Sequence, residues 1–371
     1  MVNLKALQDG SLSQSIGLYI AFELGANKWM VLLGDASGRV SRHQMAAGDM
    51  GRLVELLERV RGRFKVAGAA RVVSCYEAGR DGFWLHRWLL EHGIENLVVD
   101  PASIEVNRRA RQRKSDRLDA EKLLAKLRSH FTGEREWSVA RVPSPEQEDL
   151  RRLERERDRL VKEQGGHRSR ITSLLVLHNI RVVPRALGKL KGWLKQLKLG
   201  ACLKKELQRE LERMELLDRQ LKELEKQSAS LPAEPGKQQR QLQSLRALGT
   251  VSATTLVLEM FGWRKFSNRR EVAACAGLTP TPYQSGSSHI EQGISKTGNK
   301  RLRPALVELS WAWLRYQRQS ELSLWYVRRF GSGGKRLRRI GIVALARRLL
   351  IALWQFLEHG VVPKGAVLKT T

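Results

Sequence analysis

Two aspartates interrupt one of the most basic stretches of the chain, NRRARQRKSDRLDAEKLL at residues 107–124. Asp116 and Asp119 stand three apart at the expected start of a helix, so both carboxylates project from one face. A solvated basic helix has no need of them, whereas a site that holds metal ions beside a phosphate backbone does. Two more acids sit in apolar segments: Glu23 within YIAFELG and Glu77 at the end of RVVSCYE. Four carboxylates converging from two strands and a helix would repel one another unless cations neutralise them. Two Mg²⁺ ions about 4 Å apart would do so, and would clamp the attacking and leaving oxygens of a phosphodiester. Each acid also has an ordinary explanation. Asp116 suits a helix start through the dipole, and Glu77 could be a strand-end charge. Glu23 is harder to explain that way, because it breaks an apolar strand.

The cations around these acids fit the same chemistry. Arg108, Arg109, Arg111, Arg113, Lys114 and Arg117 would grip phosphates while Asp116 and Asp119 hold metal; the alternative is a generic basic loop. A second candidate region is GLTPTPYQSGSSHIEQGISKTGNKRLRPAL, rich in Ser, Gly, Thr and basic residues and without a hydrophobic period. It is expected to be a long functional or mobile loop. Serine hydroxyls are weak nucleophiles that need a base or metal, together with cations to meet charge developing on phosphate. Lys296, Lys300, Arg301 and Arg303 could supply those cations, and no His-Asp pair nearby completes a hydrolase triad. On its residues alone, SGSS is also an unremarkable polar loop.

The elements that must position these groups follow from hydrophobic spacing. Residues 16–33 predict two strands around a turn at Gly25-Ala26-Asn27, with a third strand near Val40. Leu53, Leu56, Leu57 and Val60 mark a helical face. ARVVSCYEAG and IENLVVDP are expected to be buried strands separated by the helix FWLHRWLLEHG. A helix from about residue 116 to 129 completes an order of three strands, helix, strand, helix, strand, helix. From Ser144 a capping box with Gln147 opens a charged helix with apolar residues in a seven-residue register. A second such helix carries Leu203, Leu207, Leu211, Met214, Leu217, Leu221 and Leu224. The two predict a helical hairpin, an intermolecular coiled coil or a bundle within the chain. SASLPAEPGKQQ is expected to be a linker. RALGTVSATTLVLEM suggests a helix-hairpin-helix-like turn, in which Gly249 lets backbone amides approach a phosphate. Beyond the polar loop, LVELSWAWLRYQ and VALARRLLIALWQFLEHG predict core helices. Trp311, Trp313 and Trp325 are expected to pack in the core rather than stack on bases.

Charge narrows the function class. Among 371 residues, 67 Lys and Arg against 38 Asp and Glu leave a net charge of +29, spread along the whole chain. That favours a polyanion partner, nucleic acid before a membrane surface. Three scattered cysteines, Cys75, Cys202 and Cys275, argue against a disulfide framework or structural zinc and fit a reducing cytosol. The first residues lack the apolar core of a signal peptide, and Arg347 and Arg348 break the longest apolar run. The expected location is cytoplasmic, with association to the nucleoid of a prokaryote.

The strand order with acids at these places resembles the RuvC/RNase H superfamily. YEAG, VVDP and KSDRLDAEKLL resemble the first half of the DEDD-type insertion-sequence transposases. RALGTVSA and AACAGLTPTPYQSGSSHIEQGISKTGNKRLRPAL resemble that family's C-terminal transposase domain. The resemblance implies an α/β domain of RuvC type at 14–131, a coiled-coil or helical hairpin at 144–229, a linker at 230–241 and a mostly helical transposase domain at 242–362. It implies that Glu23, Glu77, Asp116 and Asp119 are catalytic and bind Mg²⁺, although the family usually has Asp where this chain has Glu23. It implies a serine nucleophile at Ser285, with Ser287 and Ser288 also open, forming a covalent phosphoserine link to DNA during strand exchange. It further implies dimers that pair into tetramers, and an element-encoded noncoding bridge RNA that pairs with donor and target DNA. The alternative is a RuvC-like structure-selective nuclease of Holliday-junction type, using the tetrad and water alone. A third possibility is a non-catalytic nucleic-acid scaffold built on the long helices.

Overall fold

The computed structural model describes residues 15–79, 81–100, 116–133, 137–285 and 288–369; the side chains of residues 116, 117, 282–285 and 288–292 fall outside the description. The chain divides into two compact units, residues 1–142 and 143–371.

The first unit is a five-stranded mixed sheet in the order β3-β2-β1-β4-β5. β1 (Ile16–Leu24), β2 (Lys28–Gly34) and β3 (Val40–Ala46) form an antiparallel meander. β4 (Arg71–Glu77) and β5 (Glu95–Val99) then add parallel to β1. Each parallel addition needs a crossover, supplied by α1 (Met50–Phe64) and α2 (Trp84–Glu91). α1 starts because the Asp49 side chain accepts a hydrogen bond from the Arg52 amide at 2.9 Å. It buries Leu53, Leu56, Leu57, Val60 and Phe64, the apolar face expected from spacing. That face and α2 cover one side of the sheet, against Leu18, Ile20 and Phe22. α3 (Asp116–Phe131) covers the other, with Ala120, Leu123, Leu124 and Leu127 packed on Tyr19, Ala21, Val73 and Cys75. Period-two alternation along β1 and β4 thus feeds two separate cores.

In the second unit, α4 (Pro145–Val176) begins with the expected capping box. Ser144 Oγ accepts from the Gln147 amide at 3.2 Å, and the Ser144 amide donates to Gln147 Oε1 at 3.0 Å. α4 runs against α6 (Ala201–Ala229), with the short α5 (Leu187–Gln196) between them in sequence. Ile171 and Leu175 meet Leu207, Leu211 and Met214, while Leu160 meets Leu217, Leu221 and Leu224. The pair is therefore antiparallel, and its apolar seam is covered within the chain.

The expected linker at 230–241 is instead mostly helix, α7 (Ala233–Gln243). Its prolines do not oppose this: Pro232 is the N-cap and Pro235 lies in the first turn, where an amide has no helical acceptor to lose. Gln239 is buried and donates to the Ser228 carbonyl at 2.7 Å and to Thr254 Oγ1 at 2.6 Å, tying α7 to its neighbours. α8 (Thr250–Leu256) runs into a π-helical turn, Val257–Phe261, and α9 (Arg269–Cys275) follows.

The polar stretch expected to be an irregular loop contains a two-stranded antiparallel ribbon, β6 (Pro280–Ser285) and β7 (Ser288–Ile294). Two glycines close its base. Gly277 has φ +64°, and a Cβ there would lie 1.9 Å from the Thr297 carbonyl oxygen. Gly298 has φ +86°, with the Cys275 carbonyl oxygen 2.5 Å from any Cβ. Only glycine tolerates both the left-handed backbone and these approaches. α10 (Leu302–Tyr316), α11 (Glu321–Phe330) and α12 (Lys335–His359) complete the unit. α12 is long and apolar enough to cross a membrane by length and composition. Here its Ala346, Leu349, Leu350, Leu353 and Phe356 are packed in the largest core. Trp313 is buried, donating to Ser320 Oγ at 2.9 Å, and Trp325 lies under the Arg348 guanidinium; Trp311 is half exposed.

Candidate nucleic-acid-processing site

β1 and β4 pair in parallel with Ala21 opposite Cys75 and Phe22 opposite Tyr76. The next residue on each strand is an acid, Glu23 on β1 and Glu77 on β4. By alternation both belong to the face that carries Ala21 and Cys75, the face covered by α3. The direction of α3 follows from its contacts. Near its C-terminus, Arg128 donates to the Asp35 carbonyl at 2.9 Å and lies over the Tyr19 ring, toward the start of β1. Midway, the Leu123 carbonyl accepts from Cys75 Sγ at 3.7 Å. The helix therefore runs antiparallel to β1 and β4. Its first turn, with Asp116 and Asp119, lies toward the strand ends that carry Glu23 and Glu77.

Asp119 is partly exposed and stands 3.9 Å from Lys122 Nζ, a loose pair that leaves the carboxylate accessible. Glu121, on another side of the helix, pairs with Arg42 at 3.0 Å. Among the described residues no three acidic, His or Cys side chains stand close enough to hold a metal ion. The Asp116 side chain lies outside the description. As a donor set, carboxylates suit a hard cation such as Mg²⁺. Arg108, Arg109, Arg111, Arg113 and Lys114 lie outside the described residues. So does the side chain of Arg117, although its backbone belongs to α3.

In the second unit, Ser285 ends β6 and pairs in register with Ser288 at the start of β7, so the turn of the ribbon falls between them. Ser287 lies outside the described residues, as do the side chains of Ser285 and Ser288. Lys296, with φ 57°, and Lys300 are both exposed beyond the ribbon. Arg301 and Arg303 are already engaged. Arg301 is ion-paired to Asp158, and Arg303 donates to the Lys296 carbonyl at 2.6 Å. Gly249 is the N-cap of α8 in an extended conformation, and the left-handed residue of that turn is Ala247, φ 83°.

Sequence reasoning missed one cluster. Glu259, in the π-helical turn, is fully buried. It accepts from Arg151 at 3.2 Å, Arg155 at 3.0 Å and Asn299 at 2.9 Å. Burial alone would raise its pKa, but these donors hold it below the usual carboxylate range. Nearby Glu154 behaves oppositely: burial raises its pKa, and Thr255 Oγ1 donates to it at 2.8 Å. Arg152, Arg155, Arg159 and Arg301, with Glu148 and Glu156, line an adjoining cleft of about 380 Å³. The available signal was an acid within the apolar run TTLVLEMF, of the same kind that singled out Glu23.

Sheet order, helix placement and strand-end acids together fit an RNase H-like domain, here followed in the chain by a mainly helical unit. A sequence profile of the DEDD transposase of IS110 matches residues 24–180, and one of the IS116/IS110/IS902 transposase family matches residues 239–324. Such a chain is a DNA transposase. "Putative transposase y4rJ" of Sinorhizobium fredii is 40% identical over 95% of each chain. The transposase for insertion sequence element IS1328 of Yersinia enterocolitica is 26% identical over 78% of this chain and 85% of its own. That for IS1111A of Coxiella burnetii is 26% identical over 65% and 66%. This protein belongs to the IS110/IS116/IS902 family of insertion-sequence transposases.

Proposed function

We propose that this transposase cleaves and rejoins DNA through a covalent link to Ser285, using Mg²⁺ held by Glu23, Glu77, Asp116 and Asp119. What supports this most is the register between β1 and β4, with its two adjacent acids on the side of α3. When bound, Mg²⁺ would favour ionisation of a hydroxyl and offset charge on phosphate oxygens. The residues divide the remaining work. Ser285 Oγ forms a bond to phosphorus as the bond to a deoxyribose oxygen breaks. The leaving oxygen takes up one proton as the serine loses one, so the phosphodiester count is conserved. Attack on that phosphorus by a deoxyribose hydroxyl of the other strand then completes the exchange: the new P–O bond forms as the bond to Ser285 Oγ breaks, the attacking hydroxyl losing a proton and the serine regaining one.

Lys296 and Lys300 are assigned to the phosphates beside the serine, and Arg108, Arg109, Arg111, Arg113, Lys114 and Arg117 to those beside the carboxylates. Arg301 and Arg303 act indirectly, by holding the base of the ribbon. Gly249 is assigned to backbone approach at the α7–α8 turn. The partners proposed are donor and target DNA, a noncoding guide RNA and further copies of this chain, as a dimer or tetramer, in the cytoplasm at the nucleoid. A guide RNA would account for target choice by base pairing, leaving the protein to grip backbones.

The test is to mix the full chain with donor and target DNA, denature, and map any residue that remains attached to DNA. An adduct at Ser285, lost in Ser285→Ala while DNA binding persists, is the expected result. Hydrolytic nicks without an adduct would replace it with a nuclease that uses the carboxylates and water alone.

A further inference from the structure

The corner between α11 and α12 carries a concentration of charge that the proposed chemistry does not use. α11 ends with Arg328 and Arg329, four residues Gly331-Ser332-Gly333-Gly334 follow, and α12 opens with Lys335, Arg336, Leu337, Arg338, Arg339 and Ile340. All six cations are exposed. Residues 322–357 contain no Asp or Glu, so no acid along this segment neutralises them.

The corner is also accessible along its length. The first buried residue of α12 is Gly341, which passes so close to Phe330 that a Cβ would lie 2.5 Å from its ring. Tyr326, Phe330, Ile342 and Leu345 form the apolar contact that fixes the two helices together. Every residue of α12 before that contact, Lys335 to Ile340, is exposed. Six residues rise about 9 Å, so more than a full turn of exposed helix precedes the apolar contact, tied to it where the Tyr326 hydroxyl donates to the Arg338 carbonyl at 3.3 Å. Cations at a helix start are electrostatically unfavourable against the dipole. Four of them there, without an acid in the first turn, make an end that an external anion would stabilise.

We infer that the α11–α12 corner is a docking surface for duplex DNA, with the start of α12 at a groove and Arg328 and Arg329 on the flanking phosphates. Three features favour a duplex. The charge is complementary to a phosphate backbone. A helix about 10–12 Å across matches a major groove about 12 Å wide. A four-residue, glycine-containing connection between two packed helices is of the length used by groove-binding helix pairs. Exposed Leu337 and Ile340 would add apolar contact to base edges or sugars. The corner thus supplies affinity remote in sequence from the carboxylates and the serine. It rests on the chain acting on DNA, and is read by binding alone, so that its failure is distinct from failure of the serine chemistry.

The test measures binding of the full chain to a labelled duplex of arbitrary sequence across about 0.05 to 0.2 M salt. The variant is Lys335→Gln/Arg336→Gln/Arg338→Gln/Arg339→Gln. The slope of log affinity against log salt should flatten by about 0.9 for each cation that meets a phosphate, up to about 3.6. The thermal unfolding midpoint should not fall, since these side chains are exposed and their charge opposes the helix dipole. Should the quadruple variant fold poorly, Arg336→Gln/Arg339→Gln alone should flatten the slope by about half as much. An unchanged slope in a folded variant overturns the inference. So does a variant that keeps duplex binding while losing affinity for a hairpin RNA or for phosphatidylserine vesicles, which would assign the corner to those partners.

Discussion

Asn299 donates from Nδ2 to Glu259 Oε2 at 2.9 Å, and this bond joins the segment after the β6–β7 ribbon to a carboxylate that is fully buried. The same carboxylate takes Arg151 and Arg155 from α4. One acid therefore links the long helix pair, the π-helical turn and the base of the serine ribbon. Removing one member of a buried ion cluster leaves the others desolvated and unpaired. Glu259→Gln should cost about 3–5 kcal/mol in unfolding experiments, more than any exposed pair would. Its pH dependence has a definite sign. The folded pKa lies below the ordinary 4.5, so the ionised carboxylate stabilises the fold above that value. That stabilisation is lost as pH falls through the folded pKa, and the gap between wild type and Glu259→Gln should close there.

Glu154 should respond in the opposite direction. Burial raises its pKa, and its Oε1 has no hydrogen-bond partner among the described residues. The folded state then holds its proton more tightly than the unfolded chain, so the favourable contribution is full below 4.5 and fades as pH rises through the folded value. Glu154→Gln keeps an acceptor for Thr255 without the charge. Its unfolding midpoint should rise relative to wild type at neutral pH and not at pH 4, measured by urea titration at both.

The two left-handed glycines predict a coupling of the ribbon's fold to its chemistry. Gly277→Ala would force the Thr297 carbonyl away, and Gly298→Ala the Cys275 carbonyl. A non-glycine left-handed residue alone costs on the order of 1–3 kcal/mol. Both variants should lose stability by at least that much. They should also lose adduct formation at Ser285, because the ribbon would no longer be held at its base. Retained adduct formation would show that the ribbon needs no such anchoring.

The first unit was largely legible because its information is local. The apolar run of β1 and the helical apolar face of α1 each declare an element within a few residues, as does the Ser144 cap at the start of the second unit. The ribbon was not legible. Its strands contain Pro280 and Pro282 and alternate weakly, and their base is set by contacts between Gly277 and Thr297 and between Gly298 and Cys275. α7 was hidden for a different reason: its prolines sit where a helix tolerates them, and composition alone cannot distinguish that position from a linker. Glu259 meets its arginines more than a hundred residues away in sequence, a pairing no window could contain. The position of α3 against Glu23 and Glu77 is likewise a tertiary fact, although each acid was individually conspicuous.

Glu23 offers a direct test of the proposed metal role. It stands where relatives of this type are expected to carry Asp, one methylene shorter. If its carboxylate is an oxygen ligand, charge matters more than length. Glu23→Asp should then retain strand exchange but require a higher Mg²⁺ concentration for half-maximal rate, because the shorter arm reaches the cation less well. Glu23→Gln should lose the exchange at every Mg²⁺ concentration while still binding duplex DNA, since an amide cannot offset cation charge. The comparison is informative because Gln is nearly isosteric with Glu. Added Mg²⁺ should raise the wild-type unfolding midpoint more than that of Glu23→Gln. A purely structural role for Glu23 would leave the response to the ion unchanged in the variant.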